Sequence, residues 1–439
     1  MPSPRLTVVK MLLKMDSSEA YSNILLDQVF TDADLSDRDK AFAAALFYGV
    51  LERRLTLDYI IEKNSKIPFG KLDPAAVAIL RTGLYQLLYM PSVPESAAVN
   101  ESVKMCKQLK CFSAQGFVNG MLRGFIRSGK KISYLGMAPE KRLSVEYSCP
   151  EWLTEKLLTE YGTDFTVKAL KASVGKPPVY ARVNTLKTTT DKLLAELSRC
   201  KVKASAYSGL ENCIRLDKAG DIEKCAPFRQ GLFHVQDISS QLCCLTLRPV
   251  VNETVLDVCA APGGKSFTLA ELMGNNGRLF SMDIHDMRVG LIEDGAARLG
   301  IKMITAMQND ALRFNAELPQ ADKVLCDVPC SGLGVIRRKP EIKYKSPEEF
   351  AQLPEIQYQI LETSARYVKP GGTLVYSTCT LSRAENDEVA ERFSDAHPEF
   401  APIVQHIPFA AATGDHMRTF CPDENGGDGF FTASFRRVK

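Results

Sequence analysis

Apolar residues recur at helical spacing through the first part of the chain, and no strand-like alternation interrupts them between residue 5 and about 128. Ser36 reads as the N-cap of an Ala-rich helix over Arg38 to Leu51. Asp73 caps a second, with Pro74 at its first position and Val77, Leu80, Leu84, Leu87 and Leu88 along one stripe. Pro91 and Pro94 end it, and Glu95 to Leu109 opens the next. From 131 to 250 the pattern is mixed: helical over Trp152 to Tyr161 and Asp191 to Ser198, extended over Val179 to Asn184, Cys213 to Leu216 and Leu232 to Val235. From 251 onward apolar strands alternate with helices. Strands are expected at Val255 to Val258, Arg278 to Asp283, Met303 to Gln308, Lys323 to Asp327 and Thr373 to Ser377, the last after a Lys369-Pro370-Gly371-Gly372 turn. Gly429 to Phe435 alternates like an antiparallel closing strand. The pattern predicts an all-α domain over 1–130, a small α/β module over 131–250, and a Rossmann-like parallel α/β sheet over 251–439.

Composition narrows the class. A chain of 439 residues with 45% hydrophobic and 24% charged residues is expected to bury more than one core. The most apolar stretch, around Ala75 to Met90, contains Arg81, and the N-terminus lacks a signal-peptide core, so a cytoplasmic protein without membrane association is expected. Thirteen cysteines are scattered without CxxC spacing and only five histidines are present, which argues for reduced thiols and against a metal site. The first 250 positions carry 35 Lys and Arg against 26 acidic residues, and the remainder 20 against 26. A mildly basic first part suits phosphate binding, although a solvated surface would carry the same charge.

Two places in the last part carry chemistry. The turn Asp257-Val258-Cys259-Ala260-Ala261-Pro262-Gly263-Gly264-Lys265 follows a strand and opens a helix, and its small residues let a ligand approach the backbone. Neither the dinucleotide fingerprint nor the P-loop spacing is present. Asp283 ends the second strand, where a carboxylate can accept both ribose hydroxyls, and Asp310 follows the third, where a side chain can meet adenine. Asp327-Val328-Pro329-Cys330-Ser331-Gly332 and Tyr376-Ser377-Thr378-Cys379-Thr380 stand at the ends of the fourth and fifth strands. With the usual strand order, two cysteines project side by side from the edge where such sheets hold ligands. Cytosine C5 needs such help, because thiolate addition at C6 makes C5 nucleophilic enough to take a methyl group.

These motifs, with Arg337-Arg338-Lys339-Pro340, Glu385-Asn386 and the Gly-Gly-Asp-Gly-Phe-Phe run at 426–431, resemble the RNA cytosine-5 methyltransferases of the Nol1/Nop2/Sun family over about 145–439. The resemblance implies S-adenosyl-L-methionine as cofactor, Cys379 as nucleophile and Cys330 as the residue that assists product release. It also implies that Cys259, Ala260, Ala261, Pro262, Gly263, Gly264, Lys265, Asp283, Asp310 and Asp327 line the cofactor. Lys265 is then an active-site lysine, and Asp327 also meets the target cytosine. Arg337, Arg338 and Lys339 read as phosphate contacts, or as a solvated basic loop. The target base has to leave its stack, which favours a loop or bulge.

The helical part resembles the NusB-type RNA-binding fold through Leu84 to Met90, Val93-Pro94, Glu101-Ser102-Val103 and Phe117 to Arg123. Together the two likenesses imply C5 methylation of a cytosine in small-subunit (16S) ribosomal RNA, free or within a partly assembled subunit. The competing readings are a transfer RNA substrate and a noncatalytic RNA-binding or antitermination protein. A nicotinamide dehydrogenase is disfavoured by the missing fingerprint and the paired cysteines.

Overall fold

The computed structural model describes residues 3–17, 22–32, 35–218, 222–405, 415–422 and 426–439. Residues 18–21 and 33–34 of the expected helical stretch therefore lie outside the described residues. The chain forms two compact units, one holding the described residues up to Gly175 together with Ile336–Lys345, the other the remainder.

The first unit is helical among its described residues. Ser36 accepts from the Asp39 N–H at 3.2 Å and starts the helix Asp37–Glu52. Asp73 accepts from Ala75 N–H at 2.8 Å and starts Pro74–Tyr89, with proline at the first position where its missing N–H costs nothing. That helix is buried nearly all round, and Ile79, Leu80 and Leu84 meet Leu46, Phe47, Leu122 and Phe125 in one core. Its apolar run is broken, as read from sequence, by Arg81, which is buried and held by Asp58 at 2.7 and 2.9 Å and by Asp16 at 3.0 Å. Gly83 permits close helix packing, since a Cβ there would stand 2.9 Å from Leu122. The helices Pro139–Tyr147 and Glu151–Ala172 group with this unit, the second turning at Gly162, where φ is +74°.

Ile336–Lys345 joins the same unit for a definite reason. The last carbonyls of a helix lack intrahelical partners. Those of Asp37–Glu52 receive the Lys343 ammonium, 2.7 Å from Glu52 O, and the Tyr344 hydroxyl, 2.7 Å from Leu51 O. A cation at a helix C-terminus also meets the favourable end of its dipole.

The second unit has two sheets. In the smaller, β1 (Val179–Val183), β2 (Lys203–Ala206), β3 (Cys213–Lys218) and β4 (Phe233–Val235) run antiparallel in the order β2-β3-β1-β4. The larger contains β5 (Thr254–Asp257), β6 (Arg278–Asp283), β7 (Ile304–Gln308), β8 (Ala321–Asp327), β9 (Val368–Thr378), β10 (Phe400–Pro402), β11 (Met417–Phe420) and β12 (Phe430–Arg437). Its order is β10-β12-β9-β8-β5-β6-β7, with β11 also on β12. The strands β5 to β9 pair in parallel and β12 runs against β9, the arrangement of a Rossmann-like methyltransferase sheet. Because side chains alternate across a strand, each face has its own core. Val255, Leu325 and Val375 pack on one side with Leu269, and Leu256, Val324, Leu374 and Tyr376 on the other with Leu361 and Phe431.

Two local expectations differ from the structure. The Lys369–Gly372 turn lies inside β9, which starts at Val368 and accommodates Gly371 at φ +81°. The strand β2 had no legible signal, since three of its four residues are exposed and none is a large apolar residue.

Candidate active site

The parallel pairing of β8 with β9 places Asp327 opposite Ser377, so the turns leaving both strands emerge together. Cys330 and Cys379, 49 residues apart in sequence, meet with their Sγ atoms 3.1 Å apart. The Cys379 N–H also points at the Cys330 sulfur, 3.3 Å away. Close backbone contact fixes this corner: Gly334 N–H donates to Cys379 O at 3.0 Å, and a Cβ on Gly334 would stand 2.1 Å from Gly429 O. Neither sulfur is in a disulfide, and both residues are partly exposed. The hydrogen bond to Cys379, with burial second, pushes the Cys330 thiol well above its ordinary pKa.

Beside the sulfurs, Asp327 is held on both oxygens. Lys265 donates to Oδ2 at 2.7 Å and Ser377 to Oδ1 at 2.8 Å. Burial works against the Lys265 charge, but Asp327, at hydrogen-bond distance, outweighs it and raises the pKa above the usual lysine value. Lys265 is thus a fixed cation, with its ammonium 5.2 Å from the centre of the Phe430 ring. It belongs to the first turn of the helix Gly264–Leu272, which the residue following β4 helps to anchor: Gln236 donates to Gly264 O at 3.1 Å and accepts from Thr268 at 2.7 Å.

Opposite, β5 delivers the small-residue turn. Gly263 has φ +104°, and a Cβ there would stand 2.4 Å from the Phe267 ring, so only glycine fits. A Cβ on Gly264 would meet nothing within 4 Å, leaving space over the start of a helix that no N-cap side chain closes. Asp257 is buried; Ser266 donates to its Oδ2 at 2.7 Å, while Oδ1 is without a hydrogen-bond partner. Burial pushes this carboxyl up to about 7 against the pull of the Ser266 hydrogen bond. Asp283, buried at the end of β6, accepts from His285 N–H at 3.0 Å and pairs with Arg288 at 3.1 Å. Arg288 in turn donates to Ala261 O at 2.8 Å and so ties the β6 end to the β5 turn. These features fit a nucleoside with a polar, charged tail: a buried carboxylate for hydroxyls, an open helix start and an orphaned buried oxygen.

The structure thus gathers Lys265, Asp327, Cys330 and Cys379, and places the 259–265 turn and Asp283 together through Arg288. Asp310 follows β7 half-buried, accepting from Leu312 N–H at 3.0 Å and pairing with Arg313 at 3.4 Å, so its side chain is tied to its own turn. Arg337, Arg338 and Lys339 fall in the other compact unit; Arg337 Nε donates to Gly175 O at 3.2 Å, and Lys339 is exposed. Sequence reasoning gave no role to Ser377, Ser331, Gln357, Arg288 or Asp257, whose signal is a tertiary partner. Among the described residues, no group of three His, Cys, Asp or Glu gathers to hold a metal, and no helix is long and apolar enough to cross a membrane.

Sheet and site together define a methyltransferase fold. The family model for 16S rRNA methyltransferase RsmB/F matches residues 244–436, that of the NusB family residues 2–127, and that of the RsmF/B-like ferredoxin-like domain residues 149–223. A probable ribosomal RNA small subunit methyltransferase B of Bacillus subtilis is 39% identical, with 99% of each chain covered. A second, from Synechocystis, is 35% identical, with 100% of each covered. Among solved structures, that of PH0851 superposes with a TM-score of 0.80 at 25% identity, covering 99% of both chains. That of NSun6 from Pyrococcus horikoshii with SFG shares the fold over 66% of this chain and 98% of its own, with a TM-score of 0.60 at 22% identity. The chain belongs to the RsmB/F family of 16S rRNA methyltransferases.

Proposed function

We propose that the chain methylates C5 of a cytosine in small-subunit ribosomal RNA through a covalent bond between Cys379 and C6 of the base. The 3.1 Å approach of two thiols at neighbouring strand ends, beside a fixed Lys265–Asp327 pair, carries this reading. In the resting pair the Cys330 S–H donates to the Cys379 thiolate, which adds to C6 and moves the electron pair toward C5. S-adenosyl-L-methionine supplies the electrophilic methyl group that C5 takes. Once Cys379 is bound to carbon, the hydrogen bond that raises the Cys330 pKa is gone, which eases ionisation of Cys330. Cys330 gives its proton to solvent and, as a thiolate, takes the C5 proton; the C5–H electron pair re-forms the C5–C6 double bond, and Cys379 leaves as thiolate.

The other residues bind and orient. Asp327, held by Lys265 and Ser377, meets the polar edge of the base. Asp283 holds the cofactor's ribose, residues 259–265 face its charged tail, and Asp310 stands toward its adenine. The NusB-like helices, with Arg337, Arg338 and Lys339, contact RNA phosphates, whether the RNA is free or in a partly assembled subunit in the cytoplasm. The test is nucleoside mass spectrometry of small-subunit rRNA and of transfer RNA, each incubated with protein and methyl-labelled cofactor. Label in 5-methylcytidine supports the reading. Label in another nucleoside, or in transfer RNA alone, overturns it.

A further inference from the structure

The strands bring Cys330 and Cys379 into the same corner, but each sits beyond its strand, in a turn whose path needs separate support. That support converges on two adjacent residues. Glu385 is buried, at 2% exposure. Its Oε2 accepts the Ser331 backbone N–H at 2.8 Å and a Gln357 amide hydrogen at 3.0 Å, and its Oε1 accepts the Ser331 hydroxyl at 2.6 Å. Gln357 also donates to Pro329 O at 3.0 Å, so the residues before and after Cys330 are both held. The single Ser331 hydroxyl proton goes to Glu385, so in the 2.7 Å contact between Ser331 and Thr380 the threonine is the donor.

Asn386 does the same for the other cysteine. It is fully buried; its Oδ1 accepts the Thr378 hydroxyl at 2.5 Å and its Nδ2 donates to Thr380 O at 3.0 Å. Both neighbours of Cys379 are therefore held by one side chain. The pair is itself anchored to β9 by the Tyr376 hydroxyl, 2.5 Å from Glu385 O.

We propose that Glu385-Asn386 is the positioning element of the two-sulfur reaction, with Glu385 setting Cys330 and Asn386 setting Cys379. This inference rests on the two-cysteine reading above. Neither residue touches the reacting atoms in it; each fixes the backbone of a turn from which a sulfur projects. The division of labour has a consequence that a merely structural role lacks. Loosening the Cys330 turn slows release after the covalent bond has formed, whereas loosening the Cys379 turn slows formation of the bond itself.

Glu385→Gln keeps the shape but replaces the charged acceptor of three hydrogen bonds by one amide oxygen and an NH2, so that the Ser331 hydroxyl has to reverse its bond. Asn386→Ala removes the ties to Thr378 and Thr380 on either side of Cys379. Turnover falls on the order of 10- to 100-fold in each, because a displacement of about 1 Å at a reacting atom costs that much. The readout is the protein–RNA adduct on a denaturing gel at steady state, with Cys330→Ala and Cys379→Ala in parallel, and with cofactor-induced thermal stabilisation as the check of folding. The expected result is an adduct in Glu385→Gln, none in Asn386→Ala, and native cofactor stabilisation in both. Native turnover in both variants, or the same adduct level in both, overturns the inference. If Glu385→Gln does not fold, Ser331→Ala removes the hydroxyl bond to Glu385 Oε1 while keeping the backbone one to Oε2, and loosens the same turn with the same readout. If Cys330→Ala accumulates adduct and Glu385→Gln does not, this inference fails alone. If Cys330→Ala gives no adduct, the two-cysteine reading fails with it.

Discussion

The Lys265 ammonium lies 2.7 Å from Asp327 Oδ2, across 62 residues of sequence, and so joins the first turn of the cofactor-side helix to the end of β8. This bond lets the cofactor side and the base side of the site form as one piece. Lys265→Met leaves Asp327 with only Ser377, and kcat/KM is expected to fall on the order of 100-fold. Single-turnover methylation at saturating cofactor checks this.

Asp283 is expected to bear on cofactor affinity rather than on the chemical step. Asp283→Ala removes a buried charged acceptor and frees Arg288 from the β6 end. The cofactor Kd should rise about 10- to 100-fold, as for the loss of charge-assisted hydrogen bonds. The thermal shift at a fixed cofactor concentration should shrink accordingly, with the melting temperature without cofactor changed little.

Asp257 gives a pH-dependent prediction. Burial raises its pKa to about 7, from 3.8 for a free side chain. In that interval the folded chain retains a proton that the unfolded chain has lost. The stability this group contributes is complete below the unfolded value and is lost as the pH rises toward 7. Asp257→Asn, a neutral side chain of the same shape, should remove that decline. The difference in melting temperature between variant and native chain, followed from pH 4 to 7, should move in favour of the variant.

Arg81 tests the helical unit. Its guanidinium is buried against Asp58 and Asp16, whose side chains are 19% and 32% exposed. Arg81→Met leaves Asp16 and Asp58 to Arg54 alone, 3.0 and 3.9 Å away, and should cost about 2 kcal/mol, tempered by that remaining partner and by their access to water. Urea unfolding followed by circular dichroism measures it.

The legible parts of the chain were those in which one short segment contains its own reason. Asp73-Pro74 spells out a helix start, the alternation of residues 429–435 spells out the last strand, and the two cysteine turns follow apolar strands directly. What could not be read depends on partners far away in sequence. The strand β2 takes its hydrogen bonds from β3 and shows no pattern of its own. Lys343 has no local reason for burial, and it and Tyr344 serve the open end of a helix some 290 residues earlier. Glu385-Asn386 was visible as a motif, yet its role exists only once Ser331, Gln357 and Thr378 are brought to it.

The most direct test of the central claim is to express Cys330→Ala in cells, look for a covalent protein–RNA adduct on a denaturing gel, and sequence the attached RNA. The account predicts an adduct carrying small-subunit ribosomal RNA that disappears when Cys379→Ala is added. No adduct, together with continued methylation by the Cys379→Ala protein, would contradict it.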